Sequence, residues 1–397
     1  MGCVAIIALV PQLEGTKYWR CLHLSNQQPK ALSTEYLFQP YTLPNLSLQS
    51  RIVMPAMGRA FSPGGVPGPD VAAYYLRRAE NGVGLIITEG TVIDHPAATS
   101  EPKVPSFYGE AALNGWAGVV RQVHEAGGRI FPQLWHMGMA RPAGSQPYPE
   151  APSIGPSGID LEGNKVGEPM NEEEIERIIQ AFVDAAVHAK RLGFDGIEIQ
   201  GAHGYLVDQF FWEKTNKRTD RYGGDLIKRS QFAAELIQAI RIAVGPDYPI
   251  AIRVSQWKMS DYYVKPYDTP EKLDQFLDVL VQAGVDIFHC STRRFWEPEF
   301  EGSDLGFAGW VKKLTGKTTI VVGSVGLDDE FTSLYTQGKG AGHKDLDDLL
   351  HRLDHQEFDL VAVGRALISD PAWAIKIREG RESEIQAFTR EALATLH

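Results

Sequence analysis

Cysteine is scarce in this 397-residue chain: only Cys3, Cys21 and Cys290 occur, odd in number and far apart. Such a set builds no disulfide framework and fits no metal or iron–sulfur spacing, which predicts a reducing, cytoplasmic setting. Positive charge is also in deficit. The 39 Lys and Arg against 50 Asp and Glu give a net charge of −11, which argues against nucleic acid or an anionic membrane as the main partner. Nor is there an apolar run long enough to span a bilayer. The opening "MGCVAIIALVPQL" is apolar only from Val4 to Val10, has no basic residue before that run and has no small-residue cleavage site after it. Ile6 stands where a myristoylation signal needs Ser or Thr. Residues 1–33 therefore read as an extension of unknown role, and 34–397 as a single domain.

What the chain does have is a beat. Short β-branched runs begin at Arg51 (RIVMPA), Gly84 (GLIITEGT), Arg129 (RIFPQLW), Gly196 (GIEIQGAH), Ile250 (IAIRVSQ), Asp286 (DIFHCST), Thr318 (TTIVVGSV) and Leu360 (LVAVGRAL). Amphipathic windows lie between them. One opens at Asn171, a helix cap, sets Ile175, Ile178, Ile179, Phe182 and Ala186 on one face, and stops at Gly193. "PEKLDQFLDVLVQAG" repeats the design and ends at Gly284. Near-continuously apolar strands alternating with helices mean a parallel sheet covered by helices. Eight such units predict an α/β fold, a single (β/α)8 TIM barrel, with long βα loops at about 136–170, 206–228 and 257–268. A doubly wound open sheet would carry a glycine-rich phosphate loop after its first strand, and "PAMGRAFSPGG" has no GxGxxG.

In a barrel the carboxyl ends of the strands face the active site. The first strand ends in Pro55, Ala56, Met57 and Gly58; the second in Thr88, Glu89 and Gly90; the third in Gln133 and Trp135. The fourth delivers Gln200, His203 and Tyr205, and the fifth Arg253. The seventh and eighth end in Gly323, Ser324, Gly364 and Arg365, glycine-bearing turns of the kind that bind phosphate. Paired carboxylates, a His/Asp metal cluster, a Ser–His–Asp order and a strand-end Lys are all missing from this set. A mouth rich in amides, Arg and Tyr but poor in nucleophiles suits a cofactor that carries the chemistry. Each residue has a plainer alternative: Arg253 in a buried ion pair, Gln133 as a satisfied core amide, His203 and Tyr205 as packing. Their joint placement at strand ends favours the site. His203 and Tyr205 are two apart, so an extended chain would point both the same way. The stretch from Ser291 to Trp310 reads equally as a lid or as a surface loop anchored by Trp296.

With these residues in view, the chain resembles the old yellow enzymes, FMN-dependent ene reductases on a (β/α)8 barrel. The match runs from about Tyr36 to Gly380. Its most specific piece is "GAHGYLVDQFFWEKTNKRTDRYGGDLIKRSQFAAELIQAIR", with "RIVMPAMGR", "PQLWHMG" and "VGRALISDPAW" in the family's order. The resemblance implies that Pro55, Ala56, Met57, Gly58 and Gly90 line FMN, Gln133 binds its pyrimidine side, and Arg253 lies near N1. It implies a phosphate cradle of Gly323, Ser324, Gly364 and Arg365. Trp135 would shape the substrate pocket, Gln200 and His203 would bind the substrate's carbonyl oxygen, and Tyr205 would donate the proton after hydride transfer from flavin N5. NADPH or NADH would be the reductant and an activated alkene (enone or enal) the substrate; a homo-oligomer fits equally well. Two positions depart from the family: Gln200 stands where His is usual, and Gly58 where Thr or Cys is usual. Two other readings share the barrel: a flavin-dependent amine dehydrogenase or demethylase, and a flavin-carrying binding or sensor protein with little turnover.

Overall fold

The computed structural model describes Ser33–His397, so the extension read over residues 1–33 lies outside the described residues apart from Ser33 itself. A short antiparallel hairpin of β1 (Tyr41–Leu43) and β2 (Leu46–Leu48) leads in. There follow β3 (Ile52–Met54), β4 (Leu85–Val92), β5 (Arg129–Trp135), β6 (Ile197–His203), β7 (Ile250–Lys258), β8 (Ile287–Ser291), β9 (Thr318–Val322) and β10 (Leu360–Ala362). Each pairs in parallel with the next, and β10 returns to β3 to close the barrel. Each of the eight apolar runs holds one of these strands.

Two hydrophobic layers result from strands that are apolar on both faces. Val53, Leu85, Ile87, Phe131, Ala251, Ile287, Ile320 and Leu360 fill the barrel, and Leu46 and Leu48 of the hairpin pack on them. Tyr41 ties the hairpin to the start of β9 through a 2.9 Å hydrogen bond to Thr318 Oγ1. The outer layer lies between strands and helices. The helix Glu172–Leu192 begins with a reciprocal capping box of Asn171 and Glu174 and ends at Gly193 with φ 87°, a left-handed conformation that Gly adopts without a Cβ clash. Its residues Ile175, Ile178, Phe182 and Ala186 are buried, while Ile179 is only half-buried at the edge of the stripe. Each fully buried large apolar side chain contributes about 1.5–3 kcal/mol. The helix Pro270–Ala283 repeats the plan between Thr269 and Gly284.

Among the three long loops, the first is largely irregular and is held by arginine. Arg141 is buried and donates to the carbonyls of Thr99, Ala151, Ser145 and Tyr148 at 2.9, 2.8, 2.6 and 2.6 Å. Arg218 does the same for Pro156 and Met170. The second predicted loop is not a loop at its start: the helix Leu206–Phe211 follows Tyr205 directly, and Leu226–Arg229 is helical too. Its run of Leu206, Val207, Phe210 and Phe211 is buried, which the loop reading overlooked. No helix among the described residues is long and apolar enough to cross a membrane.

Candidate active site

At the carboxyl ends of the strands lies a cavity of about 400 Å³. All fifteen residues to which the resemblance gives a role line it: Pro55, Ala56, Met57, Gly58, Gly90, Gln133, Trp135, Gln200, His203, Tyr205, Arg253, Gly323, Ser324, Gly364 and Arg365; of the other strand-end residues Glu89 lines it and Thr88 does not. The barrel thus gathers positions up to about 300 residues apart in sequence into one space.

Its floor is polar. Glu198 of β6, fully buried, accepts from Gln133 Nε2 at 2.7 Å and pairs with His289 Nδ1 at 2.7 Å. Burial raises this carboxyl, but the charge and hydrogen bond of His289, with Arg253 beyond, hold it below the usual range. Arg253 donates to Ala56 O at 3.0 Å and to Ser291 Oγ at 3.4 Å. None of the ion pairs among the described residues includes Arg253, so the buried-pair alternative does not account for it. Its Nε is buried with no protein partner.

The wall carrying Gln200, His203 and Tyr205 differs from an extended strand end. The β6–β7 register shifts between Gly201 and His203, and His203 and Gly204 take φ 67° and 85°. The simple two-residue alternation expected from spacing therefore fails at a left-handed turn. A β-carbon in this region costs about 1–2 kcal/mol, so His203 stays there because its surroundings hold it. Its amide donates to Ser255 Oγ at 3.1 Å and its carbonyl accepts from Met259 N at 3.1 Å. The peptide groups of Gly204 are gripped on both sides: its N–H donates to Asp208 Oδ2 at 2.6 Å and its carbonyl accepts from Gln209 Nε2 at 2.7 Å. Asp208 in turn is paired with Lys258 Nζ at 2.7 Å, and both side chains are almost wholly buried. One helical turn separates Gly204 from this grip, which is why the short helix after Tyr205 belongs to the site.

Burial, with the charges of Arg253 and Lys258, pushes the His203 imidazole well below its ordinary range, so it is neutral at pH 7. Gln200 Nε2 lies 3.4 Å from Nδ1, and an amide nitrogen can only donate, so Nδ1 accepts. Nε2 then carries the proton and donates to Ser291 Oγ at 2.8 Å. The ring stacks on Trp257 at 4.2 Å, and Trp257 stacks on Tyr262 at 5.4 Å. Tyr205 meets the edge of Trp135, with centroids 5.2 Å apart at 90°.

At the far end, Ser324 has φ 51°, and Arg365 donates to Asp329 O at 2.6 Å beside Ser324 Oγ. A Cβ on Gly323 would come within 2.4 Å of Thr292 Oγ1, and one on Gly90 within 3.2 Å of the Trp135 ring. A Cβ on Gly58 would meet nothing within 4 Å, so that position leaves open space in the wall. In the Ser291–Trp310 segment, Ser291, Thr292 and Arg293 line the cavity, and Trp296, the expected anchor, is half-buried against the core with Lys344 over its ring.

Sequence reasoning missed Glu198, His289, Ser291, Trp257 and the Asp208–Lys258 pair. The signal for Glu198 was present: it sits two residues before Gln200 in an otherwise apolar strand, on the same face. Glu89 was noted only as a strand end. It accepts from the amides of Arg59 and Ala60, both at 2.8 Å, and so holds the chain just beyond Gly58.

A glycine-walled cavity with a buried cation having a spare donor, a second cation at a glycine turn, and an amide fits a planar anionic cofactor with a phosphate tail. The class is that of flavin-dependent oxidoreductases. A family model described as NADH:flavin oxidoreductase / NADH oxidase matches residues 36–384. The chain belongs to this family, that of the old yellow enzymes, whose cofactors are FMN and NAD(P)H. It is similar to an NADH oxidase of Thermoanaerobacter brockii, 36% identical over 361 residues, covering 88% of this chain and 52% of that protein. It is 42% identical over 231 residues to 12-oxophytodienoate reductase 7 of Oryza sativa subsp. japonica, covering 55% of this chain and 58% of that one. The chain thus spans little more than half the length of these relatives. A solved morphinone reductase in complex with tetrahydroNAD superposes with a TM-score of 0.74 at 28% identity, over 90% of this chain and 93% of that one.

Two outcomes follow from the buried charges. Lys258→Met strands the Asp208 carboxylate, and breaking such a pair costs about 3–5 kcal/mol; the urea midpoint at pH 7 should fall accordingly, and an unchanged midpoint would show that the pair is dispensable. The second concerns acid. His203 and His136 are held well below the ordinary imidazole range by burial first, and His95 is lowered by burial and Arg177 to about 4. These three stay unprotonated when folded, while the unfolded chain takes up protons below about pH 6.5, so stability falls with pH. Glu89, raised by burial to about 7, acts in the opposite sense. His289 and His188 are lowered by burial as well, so the histidines outweigh Glu89 and stability should fall between about pH 6.5 and about pH 5.5. Urea titrations at the two pH values measure it.

Proposed function

We propose that the protein uses NAD(P)H to reduce the activated C=C bond of α,β-unsaturated carbonyl compounds. The observation that carries this reading is the convergence, in one cavity, of a flavin-type floor with an amide, an imidazole and a phenol on one wall. FMN held in this cavity would supply hydride chemistry, with NAD(P)H as the source and the β-carbon of the alkene as the acceptor.

The chain's own residues do the rest. Arg365, with the glycine turns at 323–324 and 364, would hold the phosphate. Gln133 gives one amide hydrogen to Glu198, which fixes the amide plane and leaves its oxygen and its second N–H for the ring. Arg253 would hold a cation at the cavity floor, where it would offset negative charge on a reduced ring. Gln200 has one amide hydrogen left beyond the bond to His203, and it donates to the substrate's oxygen as enolate charge develops. Such a donor contributes about 2.7–4 kcal/mol to the transition state. His203, neutral and bonded at both nitrogens, fixes the angle of that amide, a role that replaces the direct bond to the substrate's oxygen implied by the resemblance. Tyr205 gives its phenolic proton to the α-carbon and recovers one from solvent, and Trp135 keeps the phenol in place.

An anaerobic absorbance experiment tests the reading. The flavin should bleach with NADPH and recover its colour with 2-cyclohexenone. In Tyr205→Phe the bleaching should be unaffected and the recovery about 10²–10⁴-fold slower, the usual effect of removing a positioned acid. Recovery at the wild-type rate would remove Tyr205 from the reaction.

A further inference from the structure

Arg293 stands at the rim of the cavity, on the segment after β8. It is half-buried and lines both the main cavity and a recess of about 120 Å³ beside it. Its main chain is fixed: its carbonyl accepts from Ser324 Oγ at 2.9 Å, while the amides of Thr292 and Phe295 donate to the carbonyls of Val322 and Gly323 at 3.0 and 3.1 Å. Among the described residues its side chain makes no ion pair and no hydrogen bond. The other charged residues of the recess are matched among themselves, Arg294 with Glu297 at 3.1 Å and Lys265 with Glu299 at 3.0 Å. What holds the Arg293 guanidinium is aromatic: its carbon lies 4.9 Å from the centre of the Tyr263 ring and 5.8 Å from that of Tyr262. Contact with rings leaves the N–H groups at the edge of a guanidinium for a carboxylate, which can take two at once.

A row of rings joins this cation to the catalytic wall. Tyr262 stacks on Trp257 at 5.4 Å, Trp257 stacks on His203 at 4.2 Å, and Phe331 lies against both Trp257 and Tyr262. A molecule lying along this row meets hydrogen-bonding groups at Gln200 and Tyr205, then an aromatic surface, then a positive charge. From this order we infer that Arg293 selects activated alkenes that carry a carboxylate at the end of an apolar chain. The inference rests on the proposed alkene reduction and gives Arg293 a specificity-determining role in it. The net charge of −11 repels such a compound at long range, so its recognition needs a local cation.

The test uses the FMN-loaded enzyme with NADPH. Its probes are 2-cyclohexenone bearing a 5-carboxypentyl chain and the same compound as its primary carboxamide, with the chain at C2 in one pair and at C4 in another. In at least one pair kcat/KM should favour the acid by about 10-fold, equivalent to about 1.4 kcal/mol. In Arg293→Met that preference should vanish. In Arg293→Lys, which keeps the charge without the planar fork, it should fall only in part. Added sodium chloride should erode it in the wild type, because a half-exposed ion pair is screened. Equal values for acid and amide in both wild-type pairs overturn the inference. A preference that survives in Arg293→Met also overturns it. So does an unchanged preference accompanied by loss of discrimination between NADPH and NADH, since the anion is then the coenzyme's phosphate. The saturated ketones give a second readout: the acid should perturb the oxidised flavin spectrum at about 10-fold lower concentration than the amide in the wild type, and at the same concentration in Arg293→Met. Because that arm needs no turnover, it decides the question even where no alkene is reduced, which separates failure here from failure of the proposed reaction.

Discussion

The ion pair of Lys258 with Asp208 is the contact on which the geometry of the site depends. Taking two charges out of water costs several kcal/mol per ion, and their attraction alone seldom compensates. Here the carboxylate is also hydrogen-bonded to the Gly204 amide, and the ammonium to the Ser255 carbonyl. The expense is therefore tied to one local result, a left-handed turn between two functional side chains. Without a fixed acceptor for Gly204 N–H, the strand would have no reason to leave the extended conformation at His203. The pair thus converts a strand end into a display of three polar groups.

A second polar layer lies beneath it, inside the barrel. Gln133, Glu198, His289 and Arg253 come from four neighbouring strands, β5 to β8, so the closure of the sheet is itself what brings them together. Packing a negative carboxylate and a guanidinium into the same desolvated layer lets each offset part of the other's burial without direct contact. The arginine itself lines the cavity, its side chain bonded to Ala56 O and Ser291 Oγ.

Much of this was legible in the sequence because parallel barrel strands are buried on both faces and read as unbroken apolar runs. All eight barrel strands were found, and so were the Asn171 cap and the glycine stops at 193 and 284, whereas the three-residue strands of the β1–β2 hairpin were not. The strand-end rule then gathered the cavity-lining residues. What escaped notice depends on partners distant in the chain. Nothing near Asp208 announces Lys258, fifty residues on, and nothing near Glu198 announces His289. The turn at His203 was hidden for a related reason. Its φ is imposed by hydrogen bonds from β7 and from the following helix, whereas local spacing suggests simple alternation. The helix at Leu206 was taken for loop because its six residues are too few for a clear period.

Arg141 and Arg218 anchor the long loop beside the cavity by donating to main-chain carbonyls, with no side chain of the anchored positions involved. A carbonyl is common to every residue type, so these anchors are indifferent to what the loop spells. An exposed position such as Tyr148 can therefore be exchanged without loss of the anchor, whereas Gly155 and Gly158 are fixed by space and Ile154 by burial. Along this rim, variation is confined to the side chains that neither pack nor sit at a tight turn, and new selectivity can arise there without redesign of the barrel.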